Sequence, residues 1–250
     1  AGEAGIGVGD LVVAALTDEG ISETEARSQC WFLDSKGLVV KSRTDLATHK
    51  VAFAHDHPPI ADPLAAINAL QPTALIGVSG HRGTFSKEVI EAVTRINGHP
   101  ILFALSNPTA MAECTAEEAY TWSGGRCVFA SGSPFRPVTF GGKTFFPGQG
   151  NNAYIFPGVG LGVLASGSRL ITNETFLAAA RALAGEVSES DLAAGRIYPP
   201  LNRIREVSAS IAFAVAELAY RRGLAQGSTP PDLAERIDQL VYQPDYDEYA

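Results

Sequence analysis

Cysteine is scarce in this sequence, with three in 250 residues, and Cys30, Cys114 and Cys127 have neither metal-ligand nor redox-motif spacing. That excludes a disulfide framework, and the three are expected as buried thiols of a reducing compartment. Charge is scarce as well, at 18% of residues, and the nineteen Lys and Arg are scattered along a chain of net charge −8. Nucleic acids and anionic membranes need clustered basic residues, so neither is expected as a partner. No uninterrupted apolar run approaches the roughly 18–20 residues of a membrane-spanning helix. The Gly-rich opening also has no basic segment of the kind that begins a secretory signal. A cytoplasmic protein is expected, with organellar targeting left open by a start at Ala1.

What the chain has in quantity is apolar and small residues: 46% hydrophobic, with 25 glycines and 15 prolines. That composition suits a buried α/β protein. The runs "TALIGVSG", "HPILFALSNP" and "RCVFASGSPF" are each an apolar strand ending in small polar residues. Between them, "SKEVIEAVTRING" and "TAEEAYTWSGG" carry helical patterns stopped by glycine. Such alternation predicts an open, mostly parallel, doubly wound sheet of Rossmann-like type, with ligands at the carboxyl ends of its strands. "CWFLD" is expected as a buried strand ending at Asp34, and residues 44–60 as a polar loop.

Beyond about residue 150 the pattern turns helical, with caps expected at Asn173, Ser188 and Pro200. The expected organisation is a nucleotide-binding domain over 1–151 lacking its first strand, a helical segment over 152–225 that packs back on a substrate domain, and an extended C-terminal arm over 226–250.

In the opening "AGEAG", Gly2 and Gly5 have the spacing of the last two glycines of G-x-G-x-x-G, and a helical pattern starts at once. That motif brings backbone amides and a helix N-terminus onto a pyrophosphate. Asp34 is the acid at a strand end expected to meet the adenine ribose. Ser35 follows it, and Lys36 and Lys50 are either a cationic neighbourhood suited to a 2′-phosphate or surface lysines, whereas Lys41 and Arg43 are expected in solvent. Asn107 in "ALSNPT" ends an apolar strand, and Asn151 and Asn152 lie in "PGQGNNAYIFPG". Their carboxamides either bind a small ligand or cap helices. His49, His55 and His57 lie in a loop and do not form a metal set. Glu117 and Glu118 read as a solvated helix face, and Ser131 and Ser133 lack the frame of a nucleophile elbow.

Together, "DSKGLVVKSR", "ALIGVSG", "FALSNPTAMAECTAEEAY", "FASGSPF", "PGQGNNAYIFPG" and "GRIYPPLNRIREVS" resemble the malic enzyme family, in its long eukaryotic-type branch, in order over essentially the whole chain. The resemblance implies oxidative decarboxylation of (S)-malate to pyruvate and CO2, with reduction of NADP or NAD and a required Mg²⁺ or Mn²⁺. It also implies that the family's general-base lysine, general-acid tyrosine, substrate arginine and metal carboxylates precede the fingerprint. No catalytic or metal-ligating residue is therefore assigned within this chain.

By the same resemblance, Gly2, Glu3, Ala4 and Gly5 match the pyrophosphate loop, Asp34 the ribose site, and Val78 with Ser79 the strand end over the cofactor. Asn107 matches a residue that contacts malate and the nicotinamide side. Asn152, with Asn151 beside it, matches a second substrate asparagine. Ser35, Lys36 and Lys50 resemble the NADP-preferring members, so NADP is the expected cofactor. The expected assembly is a homo-oligomer, a dimer or a tetramer. His81 and Arg82 depart from the family, which has a small residue and glycine there; Arg82 is either an added phosphate contact or a solvated side chain. The competing readings are a non-catalytic nucleotide-binding or assembly module and, less well matched to "GQGNN", an amino-acid-type dehydrogenase cofactor domain.

Overall fold

A computed structural model describes residues 2–242. The described chain forms two compact units, one of residues 2–151 with 188–198, the other of residues 152–187 with 199–242.

In the first unit the opening leads directly into α1 (Glu3–Asp18), which buries Ile6 and Val13 with Ala26 and Phe53. A Cβ at Gly9 would stand 2.5 Å from the Phe32 ring, so only glycine lets α1 lie this close. Ser22 then caps α2 (Glu23–Ser28) by accepting from the Glu25 amide. The expected buried strand ending at Asp34 is instead a short antiparallel pair, half-buried β1 (Leu33–Asp34) against buried β2 (Gly37–Leu38). Gly37 makes the reversal possible: its φ is +103°, and a Cβ there would meet the Ile60 carbonyl at 2.4 Å. The expected 44–60 loop contains one short helix, α3 (Thr48–Val51). Asp62 caps α4 (Pro63–Leu70), with Pro63 in the first turn where its missing N–H is harmless.

The parallel sheet follows. β3 (Ala74–Gly77), α5 (Lys87–Ile96), β4 (Ile101–Ala104), α6 (Ala116–Trp122) and β5 (Val128–Ser131) alternate as expected. A hairpin of β6 (Val138–Phe140) and β7 (Lys143–Phe145) then leads to β8 (Gly148–Gln149). The sheet order is β3-β4-β5-β8, all parallel. Ile90 and Val93 of α5 and Tyr120 of α6 close over Leu102 and Phe129 of the sheet. Each such fully buried large side chain contributes about 1.5–3 kcal/mol. Glu118, expected on a solvated face, completes a reciprocal capping box with Thr115 at the start of α6.

The second unit is helical. α7 (Phe156–Ser166) packs on α10 (Ile204–Arg221) through glycines: a Cβ at Gly158 would lie 2.6 Å from Ile211 Cβ, and one at Gly162 2.7 Å from the Ala212 carbonyl oxygen. α8 (Asn173–Gly185) is capped by Thr172, not Asn173, because the Thr172 backbone is extended and its hydroxyl accepts from the Thr175 amide. Pro200 heads a 3-10 turn, Leu201–Arg203, leading into α10. The segment from 226, expected as an extended arm, contains a helix (Leu233–Leu240). Asp232 caps it, and Leu233 and Ile237, four residues apart, share one buried face. The acidic end of the expected arm, 243–250, lies outside the described residues.

Ser188 caps α9 (Glu189–Ala193) as expected, and this short helix belongs to the first unit; the helix after α10, Leu233–Leu240, is α11. The Phe146 amide donates to the Ala194 carbonyl, and the Arg196 guanidinium lies 4.4 Å from the Phe146 ring centre. Among the described residues no helix is long and apolar enough to cross a membrane. Cys114 and Cys127 are buried, Cys30 only half-buried. Burial raises all three thiols, that of Cys127 to about 11, which leaves them poor nucleophiles.

Candidate nucleotide-binding site

The carboxyl ends of the four parallel strands are laced together. After β3, the Ser79 amide donates to Glu113 Oε1 (3.2 Å), the Gly80 amide to Ser106 Oγ (2.8 Å) and the His81 amide to Ser79 Oγ (3.3 Å). After β4, the Ser106 hydroxyl and amide donate to the two Glu113 oxygens at 2.5 and 3.3 Å. Asn107, next in the chain, accepts from the Ser133 hydroxyl (2.6 Å) through its Oδ1. After β5, the Gly132 carbonyl accepts from Gln149 of β8 (3.2 Å). A Cβ at Gly132 would sit 2.2 Å from the Leu105 carbonyl oxygen, so glycine is required where these loops meet.

Asn107 is exposed at this edge and bonds Ser133 in place of capping a helix, the alternative role of an asparagine here. Asn151 is exposed two residues past the end of β8; Gly150 between them donates to the Ser131 carbonyl (2.8 Å). Asn152 opens the second unit, in a 3-10 turn Asn152–Tyr154.

The start of α1 stands beside the end of β3. Gly2 is the extended N-cap residue, Glu3 and Ala4 are exposed in the first turn, and Gly5 is buried. A Cβ at Gly5 would touch Val78 Cγ2 at 3.4 Å. A sixteen-residue helix therefore aims its unpaired amides and the positive end of its dipole at the strand edge that carries Val78 and Ser79.

Asp34 anchors a charged cluster on β1. Arg43 donates to both of its carboxylate oxygens (2.9 and 3.2 Å), Lys50 Nζ to one (2.6 Å), and the Lys36 amide to the other (3.0 Å). Asp45 binds Arg43 and Lys36 from the far side. Burial pushes the Asp34 carboxyl upward, but hydrogen bonds from Arg43, then Lys50, then the Lys36 amide hold it well below the usual carboxylate range. Arg43, expected in solvent, is a correction: its side chain is 11% exposed, because two carboxylates enclose it. Lys36 is 67% exposed and Lys50 16%, while Ser35, Lys41 and Arg82 face solvent. Three cations against two carboxylates leave one net positive charge around the β1–β2 hairpin.

The sequence pattern alone missed Arg43, Asp45, Glu113, Ser106 and Ser133. For Arg43 a signal existed, in the closely spaced opposite charges Asp34, Lys36, Arg43 and Asp45. For Glu113 there was none beyond one acid between Ala112 and Cys114. Among the described residues no three His, Cys, Asp or Glu are grouped to hold a metal, so the donors present do not fit one.

Comparison with known proteins agrees with this geometry. The family described as "Malic enzyme, NAD binding domain" matches residues 1–220. The chain is 50% identical over 249 residues to NADP-dependent malic enzyme 3 of Arabidopsis thaliana, covering 98% of this chain and 42% of that protein. It is 49% identical over 252 residues to the mitochondrial NADP-dependent malic enzyme of Homo sapiens, covering 100% of this chain and 42% of that protein. The chain thus spans about two fifths of the length of these curated relatives. Its fold is similar to that of the malic enzyme of Entamoeba histolytica, with a TM-score of 0.67 at 22% identity over 94% of this chain and 51% of that one. A laced parallel-sheet edge, a helix start aimed at it and a match over residues 1–220 converge: the chain belongs to the malic enzyme family, through its NAD-binding domain.

Proposed function

We propose that this chain is the nucleotide-binding part of an NADP-dependent malic enzyme, which oxidatively decarboxylates (S)-malate to pyruvate and CO2. The observation that carries the cofactor choice is the cluster around Asp34. With Arg43 and Lys50 both turned onto its carboxylate, Asp34 presents a positive rather than an acidic face to the adenine ribose. Bound NADP supplies the hydride acceptor. In this reading Lys50 and Lys36 hold the 2′-phosphate, the first turn of α1 with Gly2, Glu3, Ala4 and Gly5 meets the pyrophosphate, and Val78 and Ser79 lie against the cofactor. Asn107 and Asn151 orient the substrate by hydrogen bonds from their carboxamides.

The divalent metal and the proton-transferring groups are assigned to other parts of the enzyme, so the chain by itself is inactive. The same reading places the enzyme in the cytoplasm as a homo-oligomer with no nucleic-acid or membrane partner.

The test is a Lys50→Gln substitution in the full-length protein, with kcat/KM measured for NADP and for NAD. Loss of one charge-assisted hydrogen bond worth about 1.5–3 kcal/mol lowers the NADP:NAD ratio by roughly ten- to a hundredfold. An unchanged ratio overturns the assignment of Lys50. Absence of metal-dependent malate oxidation in the parent protein overturns the enzyme reading in favour of a nucleotide-binding module.

A further inference from the structure

Glu113 is fully buried, yet it is a carboxylate, and every partner it has among the described residues is neutral. It receives four donors from two different loops: the Ser79 amide (3.2 Å) and hydroxyl (3.4 Å) after β3, and the Ser106 hydroxyl (2.5 Å) and amide (3.3 Å) after β4. A carboxylate is the side chain suited to this, because it accepts at two oxygens and donates at neither. The fold makes room for it at a cost in sequence freedom: a Cβ on Gly77 would lie 2.4 Å from both Glu113 Cγ and Cδ, so the last residue of β3 has to be glycine. The Glu113 main chain is fixed as well, its carbonyl accepting from the Phe85 amide (3.2 Å).

Burying an uncompensated carboxylate is unfavourable, and an apolar side chain would fill the same space more stably. What an apolar side chain would not do is hold the two loops to each other. Ser79 is held by its amide and its hydroxyl, and Ser106 passes the constraint on to Gly80, whose amide it accepts, and to Asn107, the next residue in the chain. Two residues assigned to the ligand, Ser79 and Asn107, are thereby set relative to each other by one buried group that touches neither cofactor nor substrate.

We infer that Glu113 is a positioning residue: it joins the loops after β3 and β4 so that Ser79 and Asn107 face the ligand in one fixed arrangement. The inference rests on the nucleotide-binding reading for what those two residues face, but not for the coupling of the loops.

The experiment therefore has a ligand-free arm and a ligand arm, both on the full-length protein carrying Glu113→Gln. Glutamine keeps the shape but turns an N–H toward donors that already converge there. In the ligand-free arm, amide hydrogen exchange at Ser79, Gly80 and Ser106 accelerates by about tenfold or more, while the Leu102 and Ala104 amides of β4 keep their protection. Unchanged exchange at the three loop amides overturns the coupling. In the ligand arm, the Kd for NADPH of the folded protein rises by about tenfold and KM for malate rises by a larger factor than kcat falls. A Kd within about twofold of the parent, with stability alone reduced, shows a purely structural carboxylate and overturns the positioning role. If the parent protein does not bind NADPH, the nucleotide reading fails, and the exchange arm still decides whether Glu113 joins the loops. Should Glu113→Gln fail to fold, Ser106→Ala removes only the shortest of the four bonds and the Gly80 acceptor; it must speed exchange at Ser79 and Gly80, and no change there overturns the inference.

Discussion

Asp34, at the end of β1, and Glu113, in the loop between β4 and α6, are both inward-facing carboxylates of the first unit, but their surroundings are opposite in kind. Asp34 is 11% exposed and meets Arg43 and Lys50, whose charges exceed its own. Glu113 is wholly buried and meets only serine hydroxyls and amides. At Asp34 the protein answers charge with charge, so the site responds to pH and salt. At Glu113 it answers charge with directed hydrogen bonds, so the site depends on geometry and hardly on ionic strength. A cluster of the first kind recognises a charged group. One of the second kind holds backbone in place.

The contrast is open to attack from its strongest point downward. Gly77→Ala drives a methyl into a carboxylate held at four points, and the loss of unfolding free energy in a urea titration is put at roughly 3 kcal/mol, the upper end for overpacking. A loss below about 1 kcal/mol would mean that Glu113 yields easily and is not tightly held.

Asp34→Asn comes next, with a loss of about 2 kcal/mol at neutral pH, from hydrogen bonds to charged groups. Its pH dependence follows from the lowered carboxyl. The stabilisation is fully present above the unfolded pKa of about 3.9, and is lost as pH falls through that value toward the lower folded one. The difference between variant and parent therefore shrinks below about pH 4. A difference that stays constant down to pH 2 would show that Asp34 is not held ionised by its neighbours.

The smallest effect belongs to Lys36→Ala, which removes a pair whose side chains are 67% and 36% exposed. The expected change in stability is at most about 0.5 kcal/mol. Raising the salt concentration to 1 M should abolish it while leaving any Glu113→Gln effect on amide exchange intact.

Much of the sheet was readable because its strands announce themselves. In "TALIGVSG", "HPILFALSNP" and "RCVFASGSPF", apolar residues run up to small polar ones, and nothing else accommodates such runs between amphipathic helices. The Asp34 strand was misread because the same signs were present, while the turn chemistry of Gly37 sends the chain back after two residues. The β6–β7 hairpin had a visible marker: Gly141 and Gly142, with φ of 57° and 78°, are the paired positive angles of a tight two-residue turn. α11 escaped because its short apolar stripe, Leu233, Ile237 and Leu240, lies between a Pro-rich entry and an acidic end that read as an arm.

The candidate site divides in the same way. Gly5, Asp34 and Asn107 were named because each lies in or beside a recognisable run. Lys50 could be named but not placed: that its ammonium lands on Asp34, sixteen residues earlier, depends on the loop and α3 between them. Glu113 could not be identified at all, since the room for its side chain is left by Gly77, the last residue of β3, with no sequence relation to it.

The loop after β3 carries a further consequence. Three successive N–H groups, those of Ser79, Gly80 and His81, are all engaged within the protein, by Glu113, Ser106 and the Ser79 side chain. A phosphate would find no free backbone N–H on these three residues. This lip of the sheet therefore offers negative charge no backbone donor, and sorts what rests on it by shape rather than by attraction.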